Sequence, residues 1–317
     1  MKKIGIITRD CAGVNAAIRA VVRTAHGHGI ETVGIVKGYE GLIEGIFMPL
    51  NRRSVSGIIN KGGTILKTAR CEEFYTSEGQ ARAIEIIRRN GIDGLIVIGG
   101  NGSLAGAHVL ASRYLIPTIG VAATIDNDVN GVALTIGADT AVNVALDALD
   151  KIRDTATSLE RIFVVEVMGR DCGYIALEVA LAGGCEEVLV PEKKFDMKTI
   201  CDEIETGNAQ GKVSWIIIVA EGAAKADTVA SAITLTTGLE TRVAVLGHIQ
   251  RGGQPTALDR SLASRLGHLA VEALLGGETD KCVHISEGLP ALLPLETAVQ
   301  PKEIHIEQDY HLIKILS

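Results

Sequence analysis

The chain has 317 residues, which is long enough for two packed domains. Of these residues 47% are hydrophobic and 22% charged, a composition that is unlike that of a disordered chain. Only 3% of residues are aromatic, so the core must be built from aliphatic side chains, as is typical of parallel strands covered by helices on both faces. The formal net charge of −7, with no Lys/Arg-rich tract, excludes an extended nucleic-acid-binding surface.

The first half of the chain alternates β-branched runs with helical stripes. Lys3–Thr8 is a predicted strand, and apolar residues recur at helical spacing from Val14. The other elements predicted in this half are strand 32–36, a helix from about Ser54, helix 80–90, strand 94–98 and strand 118–121.

The second half repeats the alternation. It predicts helix 141–153, strand 161–167, a further helix and strand 215–220. This order favours an α/β fold of two doubly wound lobes with mainly parallel sheets, and no Pro/Ser-rich linker separates them.

Targeting and redox signals are weak. The six cysteines lack CxxC spacing, and MKKIGIIT leads into a strand pattern rather than a signal peptide. The longest apolar runs are far shorter than the roughly 18 residues of a membrane span. We therefore expect a soluble, cytoplasmic protein with no membrane partner.

Two loops carry residue types suited to phosphate chemistry. LIVIGGNGSLAG, residues 95–106, places glycines between a buried strand and a helix, where backbone N–H groups favour phosphate oxygens; a plain tight turn is the alternative. AATIDNDVNG, residues 122–131, offers Asp126 and Asp128 after an apolar strand. One carboxylate could accept a proton while the other approaches Mg²⁺, or both could serve only an Asx-rich turn.

Three strings place arginines at predicted strand–loop junctions, as a phosphate-binding site would require, although each arginine could form only a surface ion pair. The strings are LERIFVVEVMGRDCG (159–173), ETRVAVLGHIQRGG (240–253) and GGTILKTARCEEF (62–74).

TIDND, VVEVMGR and GHIQRGG, in this order and spacing, resemble the bacterial ATP-dependent 6-phosphofructokinase family along nearly the whole chain. The resemblance implies two lobes with the active site in the cleft between them, a homotetramer, and glycolytic transfer of phosphate from Mg²⁺-bound ATP to the 1-hydroxyl of fructose 6-phosphate. It places one lobe at 1–137 plus 251–303 on the nucleotide side and the other at 138–250 plus 304–317 on the sugar-phosphate side.

The resemblance also assigns roles to individual residues. Asp126 would be the general base, Arg170 would steady the transferred phosphoryl group, and Thr124 and Asp128 would shape the base's loop. The implied sugar-phosphate site comprises Met168, Gly169, Glu221, His248 and Arg251, with Arg161 and Arg242 reaching in from a neighbouring subunit. The implied nucleotide site comprises Tyr39, Arg70, Cys71, Gly100, Asn101, Gly102 and Ser103. The implied site for an ADP or phosphoenolpyruvate effector comprises Arg19, Arg23, Arg52, Arg153, Glu186 and Lys212.

The nucleotide side departs from the family pattern at three places. TRDCAGVN (8–15) is two residues shorter than the usual loop and lacks its diglycine, so Arg9 could occupy a phosphate's place. Asn101 replaces a Mg²⁺-binding aspartate, and a unit charge at about 4 Å is worth about 4 kcal/mol at an effective dielectric of 20. Lys67 stands where a small residue is usual, and Asp10 could replace the missing carboxylate.

These departures leave three readings open. The leading one is a weakened ATP-dependent 6-phosphofructokinase, and the second is a sugar-phosphate-binding regulatory paralogue. The third is an enzyme with a changed phosphoryl donor. Pyrophosphate-using relatives typically carry aspartate at the position of Gly102 and lysine at that of Ala123, and this chain has neither.

Overall fold

The computed structural model describes all residues from Met1 to Ser317, which form two compact units. Unit 1 comprises Met1–Thr140 and Arg251–Lys302, and unit 2 comprises Ala141–Gln250 and Glu303–Ser317.

The strands are β1 (Lys3–Thr8), β2 (Glu31–Ile35), β3 (Phe47–Leu50), β4 (Gly94–Gly99), β5 (Thr118–Ala122), β6 (Ile162–Val167), β7 (Glu187–Leu189), β8 (Trp215–Ala220), β9 (Thr241–Val245), β10 (Lys281–Ser286) and β11 (Leu289–Pro294). The α-helices are α1 (Val14–Gly27), α2 (Tyr39–Glu44), α3 (Ser77–Arg89), α4 (Asn101–Ser112), α5 (Ala138–Leu159), α6 (Tyr174–Gly183), α7 (Met197–Ala209), α8 (Ala226–Thr237), α9 (Ala257–Leu275), α10 (Leu295–Ala298) and α11 (Glu307–Leu316). Two 3₁₀ helices span Glu73–Tyr75 and Gly247–Arg251.

Unit 1 is built on a seven-stranded sheet of order β11-β10-β5-β4-β1-β2-β3. Its pairings are parallel except at the two edges, where β3 and β11 run antiparallel to their neighbours. Central strands such as β4 are buried along their whole length, because helices cover both faces of the sheet. The carboxyl ends of β1, β4 and β5 therefore lie side by side and carry the loops of the candidate site.

Unit 2 is built on a four-stranded parallel sheet of order β7-β8-β6-β9. β8 is fully buried, and Trp215 and Ile217 pack against Ile204 of α7 and Val229 of α8. The mainly parallel α/β architecture predicted from the alternating pattern is confirmed in both units.

The helix predicted from about Ser54 is wrong. Residues 52–57 form turns, and Asn51 Oδ1 accepts hydrogen bonds from the backbone N–H groups of Arg53 (2.9 Å) and Ser54 (3.0 Å), as the cap at the start of a helix would. Gly57 follows with φ of 69°, a left-handed conformation that ends any helical run. The segment therefore begins as a helix would but stops at Gly57, before a helix can form.

None of the helices combines the length and apolar composition needed to span a lipid bilayer. All six cysteines are free thiols.

The C-terminal helix α11 is held to unit 2 by a charged network. Lys314 Nζ lies 2.5 Å from Glu187 Oε2 and 2.7 Å from Glu203 Oε2, and the Tyr310 hydroxyl donates to Glu187 Oε1 at 3.2 Å. Burial, followed by the negative charge of Glu187, raises the pKa of Tyr310 from about 10 to about 12. Burial alone would lower the pKa of Lys314, but its hydrogen bonds to Glu187 and Glu203 outweigh burial and raise it.

We expect this network to make the stability of unit 2 fall in alkaline solution. Between pH 10 and about 12 the unfolded chain has lost the Tyr310 proton while the folded chain keeps it, so stability decreases as pH rises. The raised pKa of Lys314 acts in the same direction, since its contribution is complete below the unfolded pKa and is lost as pH rises through the folded one. The free energy of unfolding, measured in urea, should therefore fall more steeply over this range in wild type than in Tyr310→Phe. Tyr75→Phe, at a tyrosine that is 81% exposed, is the matched control, and equal slopes in all three proteins would contradict the expectation.

Candidate active site

The loop after β1 is fastened to residues 61–69. Arg9 Nη1 donates to Thr68 Oγ1 (3.1 Å) and to the carbonyl oxygen of Ala69 (2.9 Å), and the backbone N–H of Arg9 donates to Ile98 O (2.9 Å). The Arg9 side chain is thus fixed beside the segment that leads to Arg70 and Cys71. That Arg9 occupies the place of a nucleotide phosphate stays a prediction.

Asn15 is a second fastening point that the sequence analysis missed. Its Nδ2 donates to the carbonyl oxygens of Lys61 (3.0 Å) and Gly62 (3.1 Å), and its Oδ1 accepts from the N–H of Ile65 at 2.9 Å. Gly62 lies so close to the backbone of Gly253 that a Cβ atom on residue 62 would be 2.3 Å from Gly253 O. The signal available in the sequence was an asparagine at the start of an apolar helical stripe, and the structure shows that it is buried.

The glycine loop after β4 leads directly into α4. The first hydrogen bonds of the helix are made by Ser103 N and Leu104 N to Gly100 O, so the N–H groups of Asn101 and Gly102 have no partner within the helix. Gly102 is exposed, and the space around its Cβ position is open. This geometry suits an anion at the helix N-terminus.

Tyr39 packs against α4. Its hydroxyl donates to Ser103 O at 2.7 Å, and its ring stacks on Phe74 with 4.1 Å between the ring centroids. Gly106 makes room for the ring, since a Cβ atom there would lie 2.6 Å from it. Burial raises the pKa of Tyr39 far above its usual range, so the phenol keeps its proton. Contact of Tyr39 with a nucleotide stays a prediction.

Asn101 faces Asp128. Asn101 Nδ2 donates to Asp128 Oδ2 (2.9 Å) and to Asp128 O (3.2 Å), while Asn101 Oδ1 is buried without a hydrogen-bond partner. An amide oxygen beside a carboxylate fits a magnesium ion that takes its other ligands from nucleotide phosphate and water. The pair carries one negative charge fewer than two aspartates would.

Asp126 lies in the adjacent loop after β5 and is only 5% exposed. Thr124 Oγ1 accepts from the N–H of Asp126 at 3.2 Å and donates to Asp126 Oδ2 at 3.3 Å. A carboxylate with so little water around it keeps its orientation and is suited to accept a proton from a bound hydroxyl.

Buried polar contacts shape the Asp126 loop, and the sequence analysis missed them. Asn127, with φ of 51°, is 2% exposed, and its Oδ1 accepts from Thr135 N at 3.0 Å. The Thr135 hydroxyl donates to Thr124 O at 2.7 Å. Lys302 Nζ donates to the carbonyl oxygens of Asn127 (2.8 Å) and Val132 (2.9 Å). Because Lys302 lies 175 positions from Asn127 along the chain, no local pattern could reveal this contact.

Arg251 contacts the loop after β1, and Cys11 lies within that loop. Arg251 Nη2 donates to Asp10 O at 3.3 Å, and Cys11 Sγ donates to Ile136 O at 3.2 Å. Burial, followed by the negative charges of Asp259 and Asp10, raises the pKa of Cys11 well above its usual value, so this thiol is a packing group rather than a nucleophile. Replacement of the missing magnesium ligand by Asp10 stays a prediction.

In unit 2 the loop 168–170 follows β6 and has a fixed shape. Glu221 Oε1 accepts from the N–H groups of Gly169 (3.2 Å) and Arg170 (3.0 Å), and fully buried Gln250 accepts from Met168 N at 2.9 Å. Arg170 has φ of 54°, and a Cβ atom at Gly222 would lie 2.0 Å from Arg170 O. The Arg170 side chain is exposed. Glu221 therefore anchors this loop in addition to any role with sugar, and Gln250 is an anchor that the sequence analysis missed.

The structure brings Arg161 and Arg242 together at neighbouring strands. Arg161 Nε lies 2.9 Å from Glu240 Oε2, and Arg242 binds the other oxygen of the same carboxylate. His248 is exposed and belongs to the 3₁₀ helix that ends at Arg251. Use of these cations by a neighbouring subunit stays a prediction.

The predicted effector residues fall in both units. Arg19, Arg23 and Arg52 lie in unit 1, where Arg23 Nε is buried without a hydrogen-bond partner. In unit 2, Arg153 donates to the carbonyl oxygens of Gly183 and Gly184 at the end of α6, and Lys212 Nζ lies 3.3 Å from Glu186 Oε1. An effector role for these six residues stays a prediction.

The fold and unit 1 together define a class. A helix N-terminus that can bind phosphate, beside a nearly buried aspartate at the end of the adjacent parallel strand, is an arrangement suited to phosphoryl transfer in an α/β enzyme. The phosphofructokinase family model matches residues 3–274. The chain belongs to the phosphofructokinase family.

Relatives of similar length bear one name. The chain is 48% identical over 319 residues to a Thermotoga petrophila protein named ATP-dependent 6-phosphofructokinase, with 100% of both chains covered. It is 52% identical over 307 residues to ATP-dependent 6-phosphofructokinase 1 of Thermus thermophilus, covering 96% of this chain and 95% of that protein.

Solved structures share the fold. Phosphofructokinase from Saccharomyces cerevisiae has a TM-score of 0.87 and 36% identity, with 94% of this chain and 45% of that chain covered. Pyrophosphate-dependent phosphofructokinase from Marinobacter aquaeolei has a TM-score of 0.86 at 23% identity, covering 100% of this chain and 91% of that chain, and this likeness concerns the fold alone.

Proposed function

We propose that the protein is an ATP-dependent 6-phosphofructokinase, which transfers the γ-phosphoryl group of ATP to the 1-hydroxyl of fructose 6-phosphate in glycolysis. The observation that carries this proposal is the nearly buried Asp126 at the end of β5, next to the strand that leads into the glycine loop and α4. Full-length relatives with that name, at 48% and 52% identity, support it.

Asp126 accepts the proton of the sugar hydroxyl as the hydroxyl oxygen attacks the γ-phosphorus of ATP, and the bond from that phosphorus to the bridging oxygen breaks, so that ADP leaves. The Thr124 hydroxyl orients the carboxylate of Asp126. The N–H groups at the start of α4 bind nucleotide phosphate oxygens. Arg170, exposed on a loop held by Glu221, neutralises charge on the transferred phosphoryl group. Asn101 and Asp128 would hold a magnesium ion bound with ATP, which would supply further neutralisation of phosphate charge.

The sugar 6-phosphate is bound by His248 and Arg251, with Met168, Gly169 and Glu221 next to the sugar. Arg161 and Arg242 of a neighbouring copy complete the site in a homotetramer. In unit 2 both arginines already bind one carboxylate, that of Glu240, so a phosphate dianion competes with Glu240 for them. An unphosphorylated sugar offers these arginines no dianion in exchange for Glu240 and is therefore a poor ligand.

We infer that phosphoryl transfer is weakened in this protein. Two observations favour this inference: Asn101 gives its amide donors to Asp128, and Arg9 is bound to Thr68 and Ala69 where a flexible diglycine is usual. The same observations favour a second candidate function, a regulatory protein that binds fructose 6-phosphate without turning it over. A changed phosphoryl donor is the third candidate, favoured by the added charge of Arg9 and Lys67.

One experiment separates the three functions. Turnover of fructose 6-phosphate is measured with ATP, other nucleoside triphosphates and pyrophosphate, and fructose 6-phosphate and Mg-ATP are titrated separately by calorimetry. We expect turnover with ATP as the preferred donor and tighter binding of sugar phosphate than of Mg-ATP. Sugar binding without turnover by any donor identifies the regulatory protein, and preference for another donor identifies the switched enzyme. Absence of fructose 6-phosphate binding contradicts all three.

A further inference from the structure

One ammonium group closes the loop that carries Asp126. Lys302 Nζ donates to Asn127 O at 2.8 Å and to Val132 O at 2.9 Å, so it joins two carbonyl groups five residues apart in the chain. Asn127 immediately follows Asp126 and has φ of 51°. The left-handed region is uncommon for residues other than glycine, although asparagine adopts it most readily, so the hydrogen bonds around Asn127 help to hold it there.

The other bonds of the loop do not replace this one. Asn127 Nδ2 donates to Ala133 O at 3.1 Å, and its Oδ1 accepts from Thr135 N at 3.0 Å, so the Asn127 side chain is bound to the return arm of the loop. The carbonyl group of Asn127, which sets the direction of the peptide next to Asp126, is bound by Lys302. An ammonium has three donors and forms charge-assisted bonds, so it can hold two carbonyl groups at once.

Lys302 also lies at a boundary of the fold. It is the last residue of unit 1 before the chain enters unit 2 at Glu303. Its side chain is half-buried, and its two partners belong to a loop more than 160 positions earlier in the chain.

We propose that Lys302 is a positioning residue for Asp126, acting by holding the Asn127 and Val132 carbonyl groups that fix the Asp126 loop. The inference rests on the proposed function, because it assigns Asp126 the role of base. A misplacement of about 1 Å at a reacting group can lower a rate by about 100-fold, so loss of this ammonium acts on kcat more than on substrate binding.

The test compares Lys302→Met with Lys302→Arg and wild type. We expect Lys302→Met to lower kcat by about 10- to 100-fold while the KM values for fructose 6-phosphate and ATP change much less. Lys302→Arg should recover part of the loss, because a guanidinium can also donate to two carbonyl groups. Added ethylammonium should raise the turnover of Lys302→Ala but not that of wild type. Lys281→Met, at a half-buried lysine on β10, is the matched control.

Amide hydrogen exchange of residues 123–137 provides a readout that does not depend on activity. Exchange there should accelerate in Lys302→Met and stay unchanged in Lys281→Met. The inference is overturned if Lys302→Met matches wild type in kcat and in loop exchange, or if neither arginine nor ethylammonium restores turnover. If wild type phosphorylates fructose 6-phosphate with none of the donors, the proposed function is wrong and Lys302 has no catalytic effect to exert. Amide exchange of the loop then decides by itself whether Lys302 holds the loop.

Discussion

Asp126→Asn is expected to lower kcat for fructose 6-phosphate phosphorylation by about 100- to 10,000-fold, the contribution typical of a positioned general base. Asparagine fills the same space as aspartate but cannot accept the hydroxyl proton. Because Asp126 is only 5% exposed, water has little access to take its place. Steady-state kinetics with saturating ATP measure the effect.

Calorimetric titration of fructose 6-phosphate distinguishes loss of a base from loss of the site. Binding should be nearly unchanged in Asp126→Asn, since the proposed ligands of the 6-phosphate are other residues. Asp147→Asn, at an aspartate with a 71% exposed side chain on α5, makes the same chemical change away from the site and should leave kcat unchanged. A kcat for Asp126→Asn close to that of wild type would refute the role of Asp126.

Asn101→Asp is expected to make both stability and turnover more dependent on magnesium. In the present structure Asn101 Nδ2 donates to Asp128 Oδ2 at 2.9 Å. Replacing that donor with a carboxylate oxygen places two negative groups within hydrogen-bond distance, which is unfavourable without a cation. A magnesium ion with its nucleotide turns the same pair into two adjacent oxygen ligands.

The temperature of unfolding should therefore fall in Asn101→Asp without magnesium and recover when magnesium and ATP are added. With Mg-ATP, kcat/KM for the nucleotide should rise about tenfold, which corresponds to about 1.4 kcal/mol of transition-state stabilisation. This gain is well below the ~4 kcal/mol for a unit charge at about 4 Å, because water around the ion compensates for part of the missing charge in wild type. Asn101→Ala, which removes the amide without adding charge, is the control. Identical magnesium dependence in wild type and Asn101→Asp would show that this position does not bind the metal.

The candidate site could be predicted from the sequence only in part. The spacing of TIDND and of the glycine loop placed Asp126 and Asn101 after neighbouring parallel strands, and the structure has them there. The contacts that hold these loops come from Asn15, Gln250 and Lys302. Asn15 and Gln250 lie in strings that the sequence analysis quoted, TRDCAGVN and GHIQRGG, but their anchoring roles are not visible in the motifs, and Lys302 lies in no motif. Glu221 was predicted from the resemblance to contact sugar, and its bonds to Gly169 and Arg170 add an anchoring role that a motif does not display.

The sequence by itself determined the alternation of strands and helices, the mainly parallel sheets and the family, because apolar periodicity and short motifs depend on residues close together in the chain. It failed at 52–57, where Gly57 in a left-handed conformation ends a run of turns before a helix forms. Only the tertiary structure decided which groups support the reactive side chains. Lys302, for example, lies 175 positions from Asn127 in the chain, and the two residues meet only when the core has packed, so no local pattern records their contact.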